Sequence, residues 1–192
     1  MRVSLKKVLV ASLLVSLYSC SPISKIVLRI TGEYKSPQRE DSLSILTYCR
    51  DRQVNYDELW RIKSEESFIM LQKEGRLGVP DVFVFNNKKN PVTNEVNTQC
   101  NWSKIDLIFN TNDTIIEIGD STDFYRVIEH FILVDAQTNL ETPDYYIFSN
   151  WAKFFPKMSN SVFETINRQK KQSGLTVKHI LLNIDYQKDW YD

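Results

Sequence analysis

A strand–helix–strand pattern in the last fifty residues restricts the fold more than any other feature of this chain. Asp144 to Trp151 (DYYIFSNW) reads as a strand. Ser159 or Asn160 is placed to cap a helix running to about Ser173, with Val162, Phe163 and Ile166 on its apolar face and Gly174 as its stop. Thr176 to Ile184 (TVKHILLNI) reads as a second apolar strand. Two strands joined through a helix run parallel, with a right-handed crossover. The spacing therefore predicts an α/β fold built on a mixed sheet.

Upstream, Ile23 to Ile30 (ISKIVLRI) is rich in β-formers, and apolar residues resume at Leu43, Ile45, Leu46 and Tyr48. Asn55 followed by Glu58 resembles a capping box and predicts one helix over Asn55–Glu74, ended by Gly75 and Gly78-Val79-Pro80. Asp81 to Phe85 (DVFVF) reads as a strand buried on both faces, and Asn86 to Pro91 as a turn. Residues 92–103 read as a loop. Ile105–Phe109 and Thr114–Ile118, flanking Asn110-Thr111-Asn112-Asp113, read as a hairpin. Phe124, Val127, Ile128 and Phe131 recur at helical spacing and predict a helix over Thr122–Leu133, capped by Ser121 or Thr122.

The first twenty residues are of another kind. Arg2, Lys6 and Lys7 precede the apolar run Val8–Leu17, which Tyr18-Ser19-Cys20 closes. The run is about ten residues long, suited to a secretory signal and short of the roughly 20 that span a bilayer. Leu17-Tyr18-Ser19-Cys20 resembles the bacterial lipobox, with a bulkier residue than usual at Tyr18. The resemblance implies cleavage before Cys20, lipidation (palmitate included) of its thiol, and a membrane anchor of more than one acyl chain, which holds stably where one does not. Ser21 follows the cysteine and no acidic residue occurs before Glu33, which by the same resemblance implies a periplasm-facing lipoprotein of the outer membrane in a bacterial envelope. The expected organisation is a signal peptide over 1–19, a tether or first strand over 20–40, and a single domain over 41–192.

Cleavage takes the 24 basic residues to 21 against 24 acidic ones, a formal net of −3. A weakly acidic protein lacks the basic surface that nucleic acid requires, so no nucleic-acid partner is expected. The chain has three cysteines. With Cys20 lipidated, Cys49 and Cys100 are left in an oxidising compartment, where a disulfide between them or two buried thiols are both open.

The C-terminal quarter also resembles the thioredoxin-like superfamily. In that family a strand ends in Trp before Cys-x-x-Cys at a helix start, and the following strand ends in an Asn-x-Asp pattern. Here Tyr145–Trp151 leads into Ala152-Lys153-Phe154-Phe155-Pro156, and the second strand closes with Leu182-Asn183-Ile184-Asp185. The resemblance implies a thioredoxin-like three-layer sandwich with a mixed sheet. Ala152 and Phe155 occupy the cysteine positions, and neither supplies the thiolate that disulfide exchange needs. Gly78-Val79-Pro80 is similar to the family's cis-proline element, but it comes before Trp151 instead of after it. The order is permuted, two partial units are present, or the match is accidental.

Other residues carry little chemistry. His130 and His179 are the only histidines, without the companion ligands a metal site needs. Asp113, Asp120 and Asp123 suit turns and caps, and Asp185, Asp189 and Asp192 read as solvated C-terminal carboxylates. Asp41-Ser42-Leu43, Asp113-Thr114-Ile115 and Asp120-Ser121-Thr122 resemble periplasmic O-glycosylation acceptors. No nucleophile elbow or phosphate loop is present, so no cofactor or metal is expected and the residues point away from an enzyme. Trp151, Phe154, Phe155 and Pro80 are the candidate binding rim, and Tyr186, Trp190 and Tyr191 form a second aromatic group. The expected role is binding or accessory, toward a protein partner in the periplasm. An immunity-type lipoprotein that neutralises a toxin, and a thiol-redox protein using Cys49 and Cys100, fit the same features.

Overall fold

The structure, a computed structural model, describes residues 34–94, 115–170 and 174–191. Cys20, Cys100, the run Ile105–Phe109 and the signal-like segment lie outside the described residues. The described chain is an α/β fold of four helices, a five-stranded mixed sheet and a small two-stranded hairpin.

The predicted strand–helix–strand unit is present. Strand β6 (Tyr145–Trp151) and strand β7 (Val177–Asn183) pair in parallel along their whole length. Helix α4 (Pro156–Gln169) joins them. It starts before the expected Ser159 because Pro156 has the φ of a first helical residue and no N–H to lose there. Both strands are buried over their last five residues, as strands covered on both faces are.

Strand β1 (Glu58–Ile62) adds in parallel to the free side of β7 and corrects the expected Asn55–Glu74 helix. Its residues alternate between faces, with Leu59 in one core and Ile62 in the other. The helix that does form is α2 (Glu65–Lys73), capped by Ser64, whose hydroxyl accepts the Ser67 N–H at 3.1 Å. Gly75 ends it in the left-handed region at φ +71°, where a side chain would be strained. The expected Thr122–Leu133 helix is corrected in the same way. Helix α3 (Thr122–Ile128) stops early, and Phe131 opens strand β5 (Phe131–Ala136), which pairs antiparallel with β1. In both stretches, pairing with a distant strand overrides a locally helical pattern.

Strand β2 (Val82–Asn86) pairs antiparallel with β6 and forms the other sheet edge. The sheet order is β2-β6-β7-β1-β5. Strand β3 (Val92–Asn94), expected as loop, pairs with strand β4 (Ile115–Glu117), so the described partner of β4 is β3. Helix α1 (Ser42–Asp51) is capped by Asp41, whose Oδ1 accepts the Ser44 N–H at 2.8 Å.

Two large cores lie on the two faces, and a smaller cluster of Val82, Val84, Val92 and Ile147 joins β2, β3 and β6. Leu71 of α2 and Phe124 and Val127 of α3 pack with Phe148, Ile180 and Leu182 on one face. Ile45 and Cys49 of α1 and Val162, Phe163 and Ile166 of α4 pack with Leu59, Trp151 and Leu181 on the other. The successive β7 residues Ile180, Leu181 and Leu182 thus alternate between the cores, as the pleat requires. Domain packing reaches back to Lys35, so the last part of the 20–40 segment is not a free tether. Lys35 donates its N–H to Phe154 and Glu40 donates its own to Tyr186.

Candidate functional site

The carboxyl ends of β6 and β7, where ligands commonly meet parallel sheets, carry most of the residues singled out from sequence. β6 ends at Trp151, and the chain turns through Ala152–Phe155 into α4. Trp151 is fully buried, stacked on Tyr48 at 5.5 Å and edge-on to Phe163 at 5.2 Å. Its side chain belongs to the core, which corrects its expected place in an exposed rim. Ala152 is also buried, and the Ser159 hydroxyl bridges it, accepting its N–H at 3.0 Å and donating to its carbonyl at 2.7 Å. This internal bridge is what Ser159 does instead of capping α4. Phe154 and Phe155 are half-buried, with the ring of Tyr34 edge-on to both.

Pro80 comes to the same end. The Asn150 N–H donates to Asp81 at 2.9 Å, and its side-chain amide donates to the carbonyls of Arg76 and Gly78 at 2.8 and 3.2 Å. The Val79–Pro80 peptide bond is cis. The Pro80 segment is therefore tied to β6 one residue before Trp151, whose side chain faces one core while Val79 and Phe154 pack against the other.

A polar network that the sequence reading missed lies beneath this turn. Asp185, read from sequence as a solvated terminal carboxylate, is 1 % exposed. Both its oxygens accept the Lys153 backbone N–H, at 3.1 and 2.9 Å, and Oδ2 also accepts from the Asn183 amide at 2.7 Å. Burial pushes its carboxyl up to about 6, against those two donors. Asp185 thereby fixes the turn between β6 and α4. Lys153 extends its ammonium to Glu40 Oε2 at 2.6 Å and to the Ser44 hydroxyl at 2.7 Å. A cleft of about 300 Å³ opens beside this pair, lined by Gln38, Glu40, Tyr48, Lys153, Phe154 and Asp185. The one sequence signal for the network was the Asn183-x-Asp185 spacing at a strand end.

The remaining candidates disperse. Cys49 is a fully buried thiol on α1, and burial drives its pKa far up, the reverse of what a nucleophilic cysteine needs. Cys100, its expected partner, lies outside the described residues, as does the lipidation candidate Cys20. His130 sits beside Glu129 at 3.5 Å. His179 is buried in β7 at the opposite end of the sheet, where burial and then the Lys170 charge lower its pKa to about 4. Asp189 pairs with Arg61 at 2.5 Å. Tyr186 and Trp190 pack with Phe68, and Tyr191 lies beneath the Arg39 guanidinium. Among the described residues no group of His, Cys, Asp and Glu is placed to hold a metal ion, and no helix is long and apolar enough to cross a membrane. A scan against protein-family models and searches of curated proteins and of solved structures match nothing to this chain.

Proposed function

We propose that this chain is a bacterial envelope lipoprotein, lipidated at Cys20 and held on the periplasmic side of the outer membrane. Its domain is a permuted, redox-inactive thioredoxin-like unit that binds a periplasmic protein partner. One observation carries the reading. At the carboxyl ends of the two central parallel strands, the turn before α4 offers buried Ala152 and half-buried Phe155 in the dithiol positions, with an open cleft beside Phe154. Such a turn supplies shape, an aromatic edge and a fixed Lys153–Glu40 ion pair, but no group that transfers electrons or attacks a bond. The antiparallel β2 strand, tied to β6 through Asn150, supports the thioredoxin-like reading, while its position earlier in the chain makes the order permuted. Burial of Cys49 weighs against the thiol-redox alternative.

The test is site-specific photo-crosslinking in cells. A crosslinker in place of Phe154 is expected to give one discrete protein adduct, lost when Lys153→Glu reverses the charge at the cleft. A crosslinker at exposed Leu133, on β5 at the far edge of the sheet, is expected to give none. The purified full-length chain is expected to show no disulfide reductase activity. An identical adduct at both positions, or reductase activity abolished by Cys49→Ala, overturns the reading.

A further inference from the structure

Residues 34–39 cross the carboxyl end of the sheet as an irregular strap. At one end Glu40 is buried and fixed. Its N–H donates to the Tyr186 carbonyl at 2.7 Å, its own carbonyl accepts the Lys188 N–H at 2.8 Å, and its carboxylate holds the Lys153 ammonium at 2.6 Å. Beside it the Arg39 guanidinium lies over the Tyr191 ring at 3.9 Å. At the other end the Lys35 N–H donates to the Phe154 carbonyl at 2.8 Å, and the Tyr34 ring stands edge-on to Phe155 at 5.5 Å and to Phe154 at 6.2 Å. Between these ends residues 35–39 are all exposed. Among the described residues no hydrogen bond holds Ser36, Pro37 or Gln38.

The cleft beside Phe154 opens under this strap. Lys35, Ser36 and Gln38 line it from one side, and Tyr48, Lys153 and Phe154 from the other. A segment packed for stability fills such a space with apolar side chains; here the strap residues that line it are polar. The two ends are fastened unequally. Glu40 is locked into the domain by backbone and side chain, whereas the far end meets the turn at an exposed residue, Lys35. Segments with few buried contacts and an exposed backbone open at little cost, without unfolding of the domain. The far-end contact is also of the kind a bound peptide makes: a backbone N–H given to a turn carbonyl, and an aromatic ring set against other rings.

We propose that the strap is a built-in competitor for the cleft. In the free protein Tyr34 and Lys35 occupy the Phe154–Phe155 edge, and the partner takes that edge with a peptide segment presenting an aromatic side chain and a backbone N–H in their place. The strap then swings about Glu40 and uncovers the cleft. The inference rests on the binding reading of this cleft for its partner, but the fastening of the strap is a property of the chain alone and is tested without one.

The probe is acetyl-Tyr-Lys-Ser-Pro-Gln-Arg-amide, the strap's own sequence, titrated into the labelled full-length chain and followed by NMR at the Phe154 and Phe155 rings. A short tether presents its end at millimolar effective concentration, so the emptied edge must bind this peptide in that range. Tyr34→Ala together with Lys35→Pro removes the ring and the N–H and empties the edge. Saturable shifts are expected with that variant, with binding at least tenfold weaker in the wild type, where the strap competes. Binding is expected to vanish when alanine replaces the tyrosine of the peptide. In the wild type the Lys35 amide is expected to exchange its hydrogen at least tenfold faster than the Glu40 amide at the hinge, a comparison that stands even if the variant does not fold. No binding to the folded variant, equal binding to both chains, or equal exchange at the two amides overturns the proposal. Any of these leaves the Phe154 crosslink untouched, whereas loss of that crosslink beside an intact peptide result removes the partner reading and not the strap.

Discussion

Asp57 and Asp185 are both 1 % exposed, sit at opposite ends of one sheet, and each has a lysine close by, yet their carboxyls are pushed in opposite directions. Burial pushes both up. At Asp57 the Lys170 ammonium, the Thr138 hydroxyl and the His179 N–H more than offset that, and the carboxyl ends below its ordinary range. At Asp185 the direct donors are a backbone N–H and an amide, Glu40 adds a like charge, and the Lys153 ammonium, ion-paired with Glu40, offsets the least. Asp185 is the more deeply packed of the two and has no cation bonded directly to its carboxylate, so burial wins there, while at Asp57 the direct donors win. At the amino-terminal end of the sheet the cation goes to the aspartate. At the carboxyl end it goes to the rim of the cleft.

The sharpest way to break this comparison is to remove Asp57. Asp57→Ala would strand the part-buried Lys170 ammonium, the Thr138 hydroxyl and the His179 N–H together, and would unlink β1, β7, α4 and the segment after β5. Deleting one partner of a buried ion pair costs about 3–5 kcal/mol. Urea unfolding of the variant at pH 7 is expected to show a loss of that size, and a loss below about 1 kcal/mol would mean that Asp57 is not the hub its hydrogen bonds describe.

Little of this contrast was legible in the sequence, and the reason is physical. The β6–α4–β7 unit was readable because its signals are local: two apolar runs, a turn, and a helix with a stripe. The proline near Trp151 was readable only through a family likeness. β1 was not readable, because Leu59 and Ile62 stand at a helical spacing of three, and in the strand that forms they face opposite cores. Its partner β7 lies more than a hundred residues downstream, so what decides the matter is a pairing that no local window contains. The same holds for the two buried acids. Asp185 stands near Asp189 and Asp192 and reads as solvated, and Asp57, beside Glu58, reads as an acidic residue of a helix start. Their burial follows from strand ends meeting helix ends across the sheet.

A pH profile sharpens the comparison further. Folded Asp185 keeps its proton to about pH 6, whereas unfolded it releases it near 3.8. Between those values the folded state binds more protons, so stability from this group falls as pH rises. His179 acts oppositely. It is protonated below 6.5 when unfolded but only below about 4 when folded, so its contribution grows with rising pH across that window. At 1.36 kcal/mol per unit, each limb amounts to about 3 kcal/mol. The two nearly cancel between pH 4 and 6. Asp185→Asn removes one limb, and its stability is expected to decline by about 3 kcal/mol relative to wild type as pH is lowered from 6.5 to 4. Denaturant unfolding at pH steps would show this as diverging curves. Parallel curves would place the Asp185 carboxyl in its ordinary range.

The smallest effect tests the cause most directly. Glu40→Gln retains a hydrogen-bonding side chain beside Ser44 and Lys153, but it deletes the charge that holds the Lys153 ammonium at 2.6 Å. That same charge holds the Asp185 carboxyl up, and without it the Lys153 ammonium, which already pulls the carboxyl down, acts unopposed. If neighbouring charges matter beside burial, the Asp185 midpoint, followed by carbon-13 NMR of its carboxyl, should fall by about one unit, the low end of what a nearby charge produces. Lys170→Met makes the converse change at the other end and should raise Asp57 out of its depressed range. A midpoint unmoved by Glu40→Gln would mean that burial alone governs Asp185, and the likeness between the two ends of the sheet would then stop at depth.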